Sequence, residues 1–582
     1  MRKKLLAGFL AVLLLFVASP LLAESETTEE EILLPGRYDW SAIQTMLIAP
    51  RAQELPPVMT DEQGNFHAYN LDRESGVIEH VAVNTHGELF IQRQTELPYI
   101  GEETLLAATP FAGGLTLLWS TSDSQGNWQM YTAFWDEAND LGDVQKLAYN
   151  VSQPTQVIDT SSGLMRVMLG LNVVMDKQGN MHVSLTGGLP RELKAIYMLF
   201  NSDLEMVRAD GVGARHTFLR YSGAFSGGQI IVDDEGTAYV LNDITGRVYL
   251  DIIPPQGNQQ TIQVANAAYH LAGFGSGGLY TVRRVGPVMY LDEDGVIHIV
   301  YNNLTKPPTL TPHIVDVAYA QVRDGKVVHE KIITNQMGVS HYGTVTANGG
   351  KVYIAWEETS GNTHELYYSV LNYQGEILSE FNRLTWEQVY SRLGFIHADD
   401  QGELHAFWWR PDRDGQDRLA YKNTANPVPY TIWLRLGFDP YDPDSTLAGQ
   451  LIYYGIMTII TSIGQLVANL HVLLLVIALL FVLYKLQLLD FLFERPWTLF
   501  LMLLVAMYPL MPRVSEAESA FALTSGYQLF VWLTAAVLSS ALMLLFKIRP
   551  NSTLNLVLGC CLWLLAAVLM QMVPIVPMAF AI

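Results

Sequence analysis

The sequence predicts an all-β propeller of about seven blades followed by an α-helical membrane domain. Three observations carry this expectation. A phrase made of a polar turn ending in Gly, four or five strand-forming residues and then Trp or Tyr returns about every 50–65 residues between Gln63 and Trp409. No helical period separates its copies, which is the signature of a repeat built from strands. Beyond Thr446 long apolar runs take over and only nine Asp, Glu, Lys or Arg residues remain, the composition of membrane-spanning helices.

Residues 1–23, MRKKLLAGFLAVLLLFVASPLLA, have a basic start, an apolar centre and a small residue at Ala23. They read as a secretory signal peptide cleaved after Ala23, with an uncleaved anchor as the alternative because Leu21 stands where a small residue is usual. No Cys follows the apolar run, which argues against a lipid anchor. Residues 24–37 are an acidic N-terminal segment.

Residues 38–426 form the expected propeller. Its turn glycines are Gly64 (GNFHAYN), Gly113 (GGLTLLW), Gly179 (GNMHVSL), Gly236 (GTAYVLN), Gly295 (GVIHIVY), Gly350 (GKVYIAW) and Gly402 (GELHAFW), at intervals of 49, 66, 57, 59, 55 and 52. Five of the seven are preceded by an acidic turn: DEQG, DKQG, DDEG, DEDG and DDQG. Asp caps its own turn while Gly takes the left-handed angle a tight hairpin needs, and the alternation of β-branched and aromatic residues specifies strands. Further turns after Trp119 and Trp356 raise the count to three or four strands per unit, the content of a propeller blade. The first two intervals are irregular, so six or eight blades stay open. The segment from Tyr38 to Val58 is placed to supply the strand that completes the last blade.

These phrases, D-x-x-G-x-h-H-h-h-W followed by a Tyr-containing strand, resemble the sialidase-like propellers of the BNR or Asp-box type over residues 40–430. The resemblance implies a propeller and, as one outcome, a surface glycoside hydrolase. Two departures speak against hydrolysis. The S-x-D-x-G-x-T-W box is not met, SDSQGNW at Ser122–Trp128 coming nearest, and the arginine-bearing F/Y-R-I-P segment is absent.

His recurs at one phase of the repeat in His67, His182, His298 and His405, with Tyr239 and Tyr353 at that phase elsewhere. Equivalent positions in different blades lie around a ring and do not converge, so these residues read as interstrand packing and not as metal ligands. The strands that precede the polar turns should be the innermost of each blade. At or near their starts stand Arg166, Arg215, His216, Arg220, Arg283, Arg284, His341, Tyr342, Tyr390 and Arg392. Guanidinium groups grip carboxylate or phosphate bidentately, and Tyr280, Tyr342 and Tyr390 offer stacking surfaces for a sugar. A channel mouth that binds an acidic glycan follows, set against local pairing of each Arg with the 53 acidic residues of the exported region. Asp412, Asp414 and Asp417 around Gly415 suggest a calcium loop but lack the EF-hand spacing and its distal Glu; a solvated turn is the plainer reading, and no cofactor is expected. Gly273, Gly275 and Gly278 match G-x-G-x-x-G, but the strand-like LYTVRR follows where a dinucleotide site needs a helix.

Residues 427–446, rich in Pro and Asp, read as a juxtamembrane linker. Residues 447–582 read as an interfacial helix followed by four transmembrane helices near 463–484, 496–511, 521–546 and 554–574, with the basic loops inside and the propeller outside. The net charge is −22, of which the exported region holds about −26, a poor match to nucleic acid. The only cysteines are Cys560 and Cys561, so export comes without disulfides, and the whole leans toward a bacterial plasma membrane. The leading functional expectation is a non-catalytic, membrane-anchored recognition or scaffold protein that binds a glycan, an envelope polymer or a protein and meets a membrane partner. The alternatives are a sialidase-like glycoside hydrolase and an accessory subunit of an export or envelope-assembly complex.

Overall fold

The computed structural model describes residues 39–49, 58–101, 104–122, 128–136, 141–147, 167–189, 192–212, 229–244, 247–265, 287–306, 314–334, 339–360, 363–385, 391–411, 416–429, 447–453 and 525–549, with Pro35, Tyr441, Ile456, Trp497, Asn555, Leu558, Gly559, Leu562 and Trp563 singly. Among the described residues 28 strands fall into seven blades of four, antiparallel within each blade, with blades 5 and 6 joined by one parallel pairing of Val315 with Val339. The first described strand is β1 (Gln44–Ala49). Blade 1 is β2 (Val58–Thr60), β3 (Phe66–Leu71), β4 (Val77–Val83) and β5 (Leu89–Glu96). Blade 2 is β6 (Leu105–Phe111), β7 (Gly114–Ser122), β8 (Trp128–Asp136) and β9 (Gln145–Lys146). Blade 3 is β10 (Val167–Met175), β11 (Met181–Leu189), β12 (Glu192–Phe200) and β13 (Met206–Val212). Blade 4 is β14 (Gln229–Val232), β15 (Ala238–Ile244), β16 (Arg247–Ile253) and β17 (Gln260–Ala265). Blade 5 is β18 (Val288–Leu291), β19 (Ile297–Lys306), β20 (Ile314–Arg323) and β21 (Lys326–Ile332). Blade 6 is β22 (Val339–Asn348), β23 (Lys351–Ser360), β24 (Thr363–Asn372) and β25 (Ile377–Arg383). Blade 7 is β26 (Arg392–Ala398), β27 (Leu404–Pro411) and β28 (Asp417–Asn423), completed by β1.

The ring therefore closes by the pairing of β1 with β28, Gln44 opposite Tyr421 and Ala49 opposite Asp417, as the sequence expects of the segment after Tyr38. Closure completes the ring and leaves each blade only short, protected edges. The first strands of neighbouring blades pack on one another, β6 on β10, β18 on β22 and β22 on β26, which makes them the inner ring. Apolar seams join the blades. Trp119 and Trp135 fill the seam of blades 1 and 2 with Ile78 and Leu97, and Trp356 meets Tyr319 and Val317 between blades 5 and 6. The closing aromatic of the repeat phrase is thus core, where a ring of this size buries 150–250 Å² of apolar surface (roughly) per side chain.

The acidic turns fold as their chemistry dictates. In blade 5 Asp292 Oδ1 accepts the amides of Asp294 and Val296 at 3.0 and 2.7 Å, and Gly295 takes φ +73°. The same arrangement holds at Asp61, Asp176, Asp233 and Asp399. Blades 2 and 6 lack the Asp and instead turn through two residues at positive φ, Ala112–Gly113 and Gly349–Gly350, the hairpin form whose twist matches its strands.

The membrane expectation is corrected. Among the described residues no helix is long and apolar enough to cross a membrane, so the four-span domain, the multi-pass plasma-membrane placement and the membrane protein partner are not supported. The expectation rested on composition, which registers apolar residues whether a helix meets lipid or packs by one face. The helix Ser525–Leu545 (α1) buries Ala535, Ser539 and Met543, four residues apart, and exposes Leu533, Val537, Leu544 and Leu545. Residues 447–453 are helical. The spans placed at 463–484 and 496–511, apart from Trp497, lie outside the described residues, as do most of the fourth span, the signal peptide and the acidic segment except Pro35.

Candidate active site at the mouth of blades 6 and 7

The repeated histidines hold the blades together. In blades 3, 5 and 7 the imidazole bridges the turn carboxylate and a Tyr of the next strand. His298 is fully buried, with Nε2 2.9 Å from Asp292 Oδ2 and Nδ1 2.7 Å from Tyr319 Oη. His182 does the same with Asp176 and Tyr197, and His405 with Asp399 and Tyr421. The carboxylate accepts from Nε2–H, and the phenol donates to Nδ1. Burial alone would raise Asp292, but the bond from His298 and the turn amides outweigh it and hold the carboxyl below its ordinary value. Burial pushes the Tyr319 phenol up. Blade 4 shortens the device, with Tyr239 Oη donating directly to Asp233 Oδ2 at 3.0 Å. Among the described residues no group of three His, Cys, Asp or Glu is placed to hold a metal.

Of the residues expected at the channel mouth, Arg166, Arg215, His216, Arg220, Tyr280, Arg283, Arg284 and Tyr390 lie outside the described residues, as does the side chain of Tyr342. His341 and Arg392 are described, at the starts of the adjacent inner strands β22 and β26, on the end opposite the polar turns. Asp412 and Asp414 of the suggested calcium loop are likewise outside the described residues. Asp417 is buried and ion-paired with Arg392, Nη2 to Oδ1 2.6 Å, so its carboxylate is committed to a guanidinium.

Both inner strands bulge just beyond these residues. His341 faces Glu357 and Thr344 faces Ala355, which leaves one extra residue on β22. Arg392 faces Trp409 and Phe395 faces Phe407, with the same surplus on β26. β10 bulges likewise between Met168 and Gly170. A bulge bends the strand end and re-aims its side chains. Gly343 and Gly394 sit within the first two bulges because a Cβ there would come within 2.4 Å of Val300 and 2.6 Å of Leu366 on the packed strands. A glycine two residues after the mouth residue, in HYG and RLG, was the sequence signal for this bend.

The bulged ends frame an acid–base cluster. Glu357 is 1% exposed. Its Oε1 accepts from His364 Nδ1 at 2.5 Å and lies 3.5 Å from His341 Nε2. With Nδ1–H donated to the carboxylate, the neutral His364 ring has Nε2 as its acceptor, and its side chain is 32% exposed. Ser391 N donates to the His364 carbonyl at 3.0 Å, which ties the start of β26, and so Arg392 with its side chain 36% exposed, to the backbone that carries the imidazole. On the other face of β23, Glu358 accepts from Ser340 Oγ at 2.5 Å and from Trp356 Nε1 at 3.3 Å. Burial, helped by Asp316, raises its carboxyl against the lowering effect of those two bonds. Glu365 stands opposite Glu358 and is held by Arg383 at 2.9 Å. Glu357, Glu358, His364 and Glu365 all fall in WEETSGNTHEL, which reads from the sequence as a polar turn. The signal lay in the pair of carboxylates ending one strand and the His–Glu pair opening the next.

No protein-family model and no curated protein matches this chain. Among solved structures, a PL25 ulvan lyase bound to a glucuronate–sulfated rhamnose fragment matches with TM-score 0.41 and 10% identity over 66% of this chain and 94% of that one. The propeller domain of the trilobed protease of Pyrococcus furiosus matches with TM-score 0.35 and 10% identity over 66% and 100%. The α-L-arabinanase of Cellvibrio cellulosa gives TM-score 0.26 and 12% identity over 48% and 94%, in its arabinohexaose complex. This chain is a seven-bladed β-propeller by its own strand order.

Proposed function

We propose that the mouth over blades 6 and 7 is the acid–base site of an enzyme that cleaves an acidic glycan. This replaces the non-catalytic, membrane-anchored expectation. The observation that carries it is the buried Glu357 carboxylate bonded at 2.5 Å to a His364 ring that reaches solvent. A carboxylate behind an imidazole fixes its tautomer and stabilises the imidazolium formed when the ring takes a proton, the arrangement of a general base. His364 Nε2 removes a proton from the attacking water. The departing glycosidic oxygen takes its proton from solvent water at the open mouth, since Glu358 points to the other face of β23. Arg392 holds the carboxylate or sulfate of the sugar through a guanidinium whose charge Asp417 fixes in place.

The test is release of new reducing ends from a panel of uronate-bearing, sulfated and neutral polysaccharides by the full chain. Cleavage restricted to the anionic members, lost about 100-fold or more in His364→Ala, supports the reading. Cleavage of none, or cleavage unchanged in His364→Ala, overturns it.

A further inference from the structure

Blade 1 builds the turn-to-strand bridge differently from every other blade that carries an Asp turn. Asp61 Oδ2 lies 3.0 Å from His67 Nε2, and His67 Nδ1 is 3.0 Å from a second imidazole, His80 Nε2. The far side of that ring meets Arg93, whose Nε donates to His80 Nδ1 at 2.9 Å. Arg93 then reaches into blade 2. Its Nη2 donates to the Trp135 carbonyl at 3.2 Å, its Nη1 to the Asp136 carbonyl, and its guanidinium lies 4.3 Å above the Trp135 ring. His67, His80 and Arg93 are all buried, His80 completely. The two imidazoles stack at 5.2 Å and 11°.

The protons along this chain have one arrangement. Arg93 is always a donor, so His80 Nδ1 must accept and His80 Nε2 must carry the ring's proton. His67 Nδ1 must therefore accept, and His67 Nε2–H faces the Asp61 carboxylate. Each imidazole is neutral and each tautomer is set by its neighbour. A second proton has no place. On His80 it would point Nδ1–H at Arg93 Nε–H, and on His67 it would point Nδ1–H at His80 Nε2–H. The Tyr-bridged blades differ at this step, because the hydroxyl of Tyr197, Tyr319 or Tyr421 turns and accepts from a doubly protonated ring.

We propose that the Asp61–His67–His80–Arg93 chain is an acid-sensitive latch that loosens blade 1 from blade 2 while the Tyr-bridged blade 5 stays closed. The ionisable groups facing it are Asp61 from the turn, His67 from β3, His80 from β4 and Arg93 from β5, with Trp135 and the Asp136 carbonyl of β8 packed against the far end. Burial first, then the charges of Arg93 and His67, lower His80 from its ordinary value of 6.5 to about 2. The sign agrees with the geometry. The unfolded chain takes this proton as pH falls through 6.5, whereas the folded chain refuses it until about 2, so stability falls with pH across that window.

Hydrogen exchange of the full chain, followed by peptide from pH 7 to pH 4 and corrected for intrinsic rates, tests the latch. Residues 58–96 and 128–136 should lose protection by about tenfold or more over that range, with residues 297–322 of blade 5 changing less. His80→Tyr rebuilds the bridge of blades 3, 5 and 7, and His67→Tyr rebuilds that of blade 4. Folded His80→Tyr should abolish the selective loss in blade 1, whereas folded His67→Tyr leaves His80 buried against Arg93 and should retain it. Uniform loss across the blades, selective loss retained in folded His80→Tyr, or selective loss abolished in folded His67→Tyr overturns the proposal.

Discussion

The two ends of the propeller use the same pair of groups, a carboxylate and an imidazole, for opposite purposes. At the polar-turn end Asp292 and His298 are both sealed, with side chains 0% exposed, and each ring nitrogen of His298 is bonded within the blade. At the mouth Glu357 is equally sealed, but the His364 side chain it orients is 32% exposed and opens toward solvent. The pairing itself does not distinguish structure from chemistry. What distinguishes them is whether the ring is sealed within the blade or reaches solvent. In the turns a Tyr from the neighbouring strand bonds the second nitrogen, and the pair becomes a rivet between strands.

The sharpest way to break this contrast is to exchange the two losses. His364→Ala should lower glycan cleavage by about 10²–10⁴-fold and also cost stability, because the buried Glu357 carboxylate loses a bond. His298→Ala should leave cleavage unchanged and cost about 3 kcal/mol, the loss of a buried ring together with two bonds whose partners, Asp292 and Tyr319, stay behind unpaired. Parallel calorimetry and reducing-end assays on the two variants check both halves. Equal stability losses with equal activities would erase the distinction.

Acid titration offers the next largest effect. Asp176, Asp292 and Asp399 are each held below the ordinary 3.8: burial would raise them, and bonds from the turn residues and from the paired His win. A depressed carboxyl protonates in the unfolded chain first, so its contribution is complete above 3.8 and is lost as pH falls through the folded value. Glu358 has the opposite sign. Its raised carboxyl favours the folded state below its unfolded value and gives up that contribution as pH rises through the folded one. Asp292→Asn should therefore flatten the fall in stability below pH 3.8, and Glu358→Gln should flatten a decline on the alkaline side of 4.5. Denaturant midpoints measured from pH 3 to pH 8 would show whether either slope fails to change.

How much of this was legible in the sequence follows from how local each feature is. Asp-x-x-Gly turns, alternating strands and a closing Trp are written within about ten residues, so the blades at Asp61, Asp176, Asp233, Asp292 and Asp399 could be read directly. The closure by Gln44–Ala49 followed from the need to complete the last blade. The His phase was legible, but its partners were not: Tyr319 is 21 residues from His298 and meets it only through the register of β19 on β20. The mouth was harder still. Glu357 and His364 are seven residues apart across a hairpin, and nothing in WEETSGNTHEL alone says that one carboxylate is buried. His341 and Arg392 could be placed because inner strands precede polar turns, whereas their bulges depend on packing against Val300 and Leu366. The apolar C-terminal residues misled because composition carries no account of which face of a helix is packed.

The smallest effect sharpens the rivet itself. Tyr319 donates to His298 alone among the bonds that fix its hydroxyl, whereas Tyr421 donates to His405 and accepts from Asn423 Nδ2 at 3.0 Å. Tyr319→Phe removes one hydrogen bond at constant shape and should cost about 1 kcal/mol. Tyr421→Phe strands two buried groups, since Asn423 is 0% exposed and His405 is 0% exposed, and should cost about 2 kcal/mol. The ring packing is preserved in both, with Tyr319 stacked on His298 at 5.9 Å and Tyr421 on His405 at 6.1 Å, so the difference between the variants isolates the second bond. Urea unfolding of the two proteins at neutral pH measures it. Equal midpoints would mean that the hydroxyl contributes only through its own imidazole, and that the blade 7 bridge is no stronger than the one in blade 5.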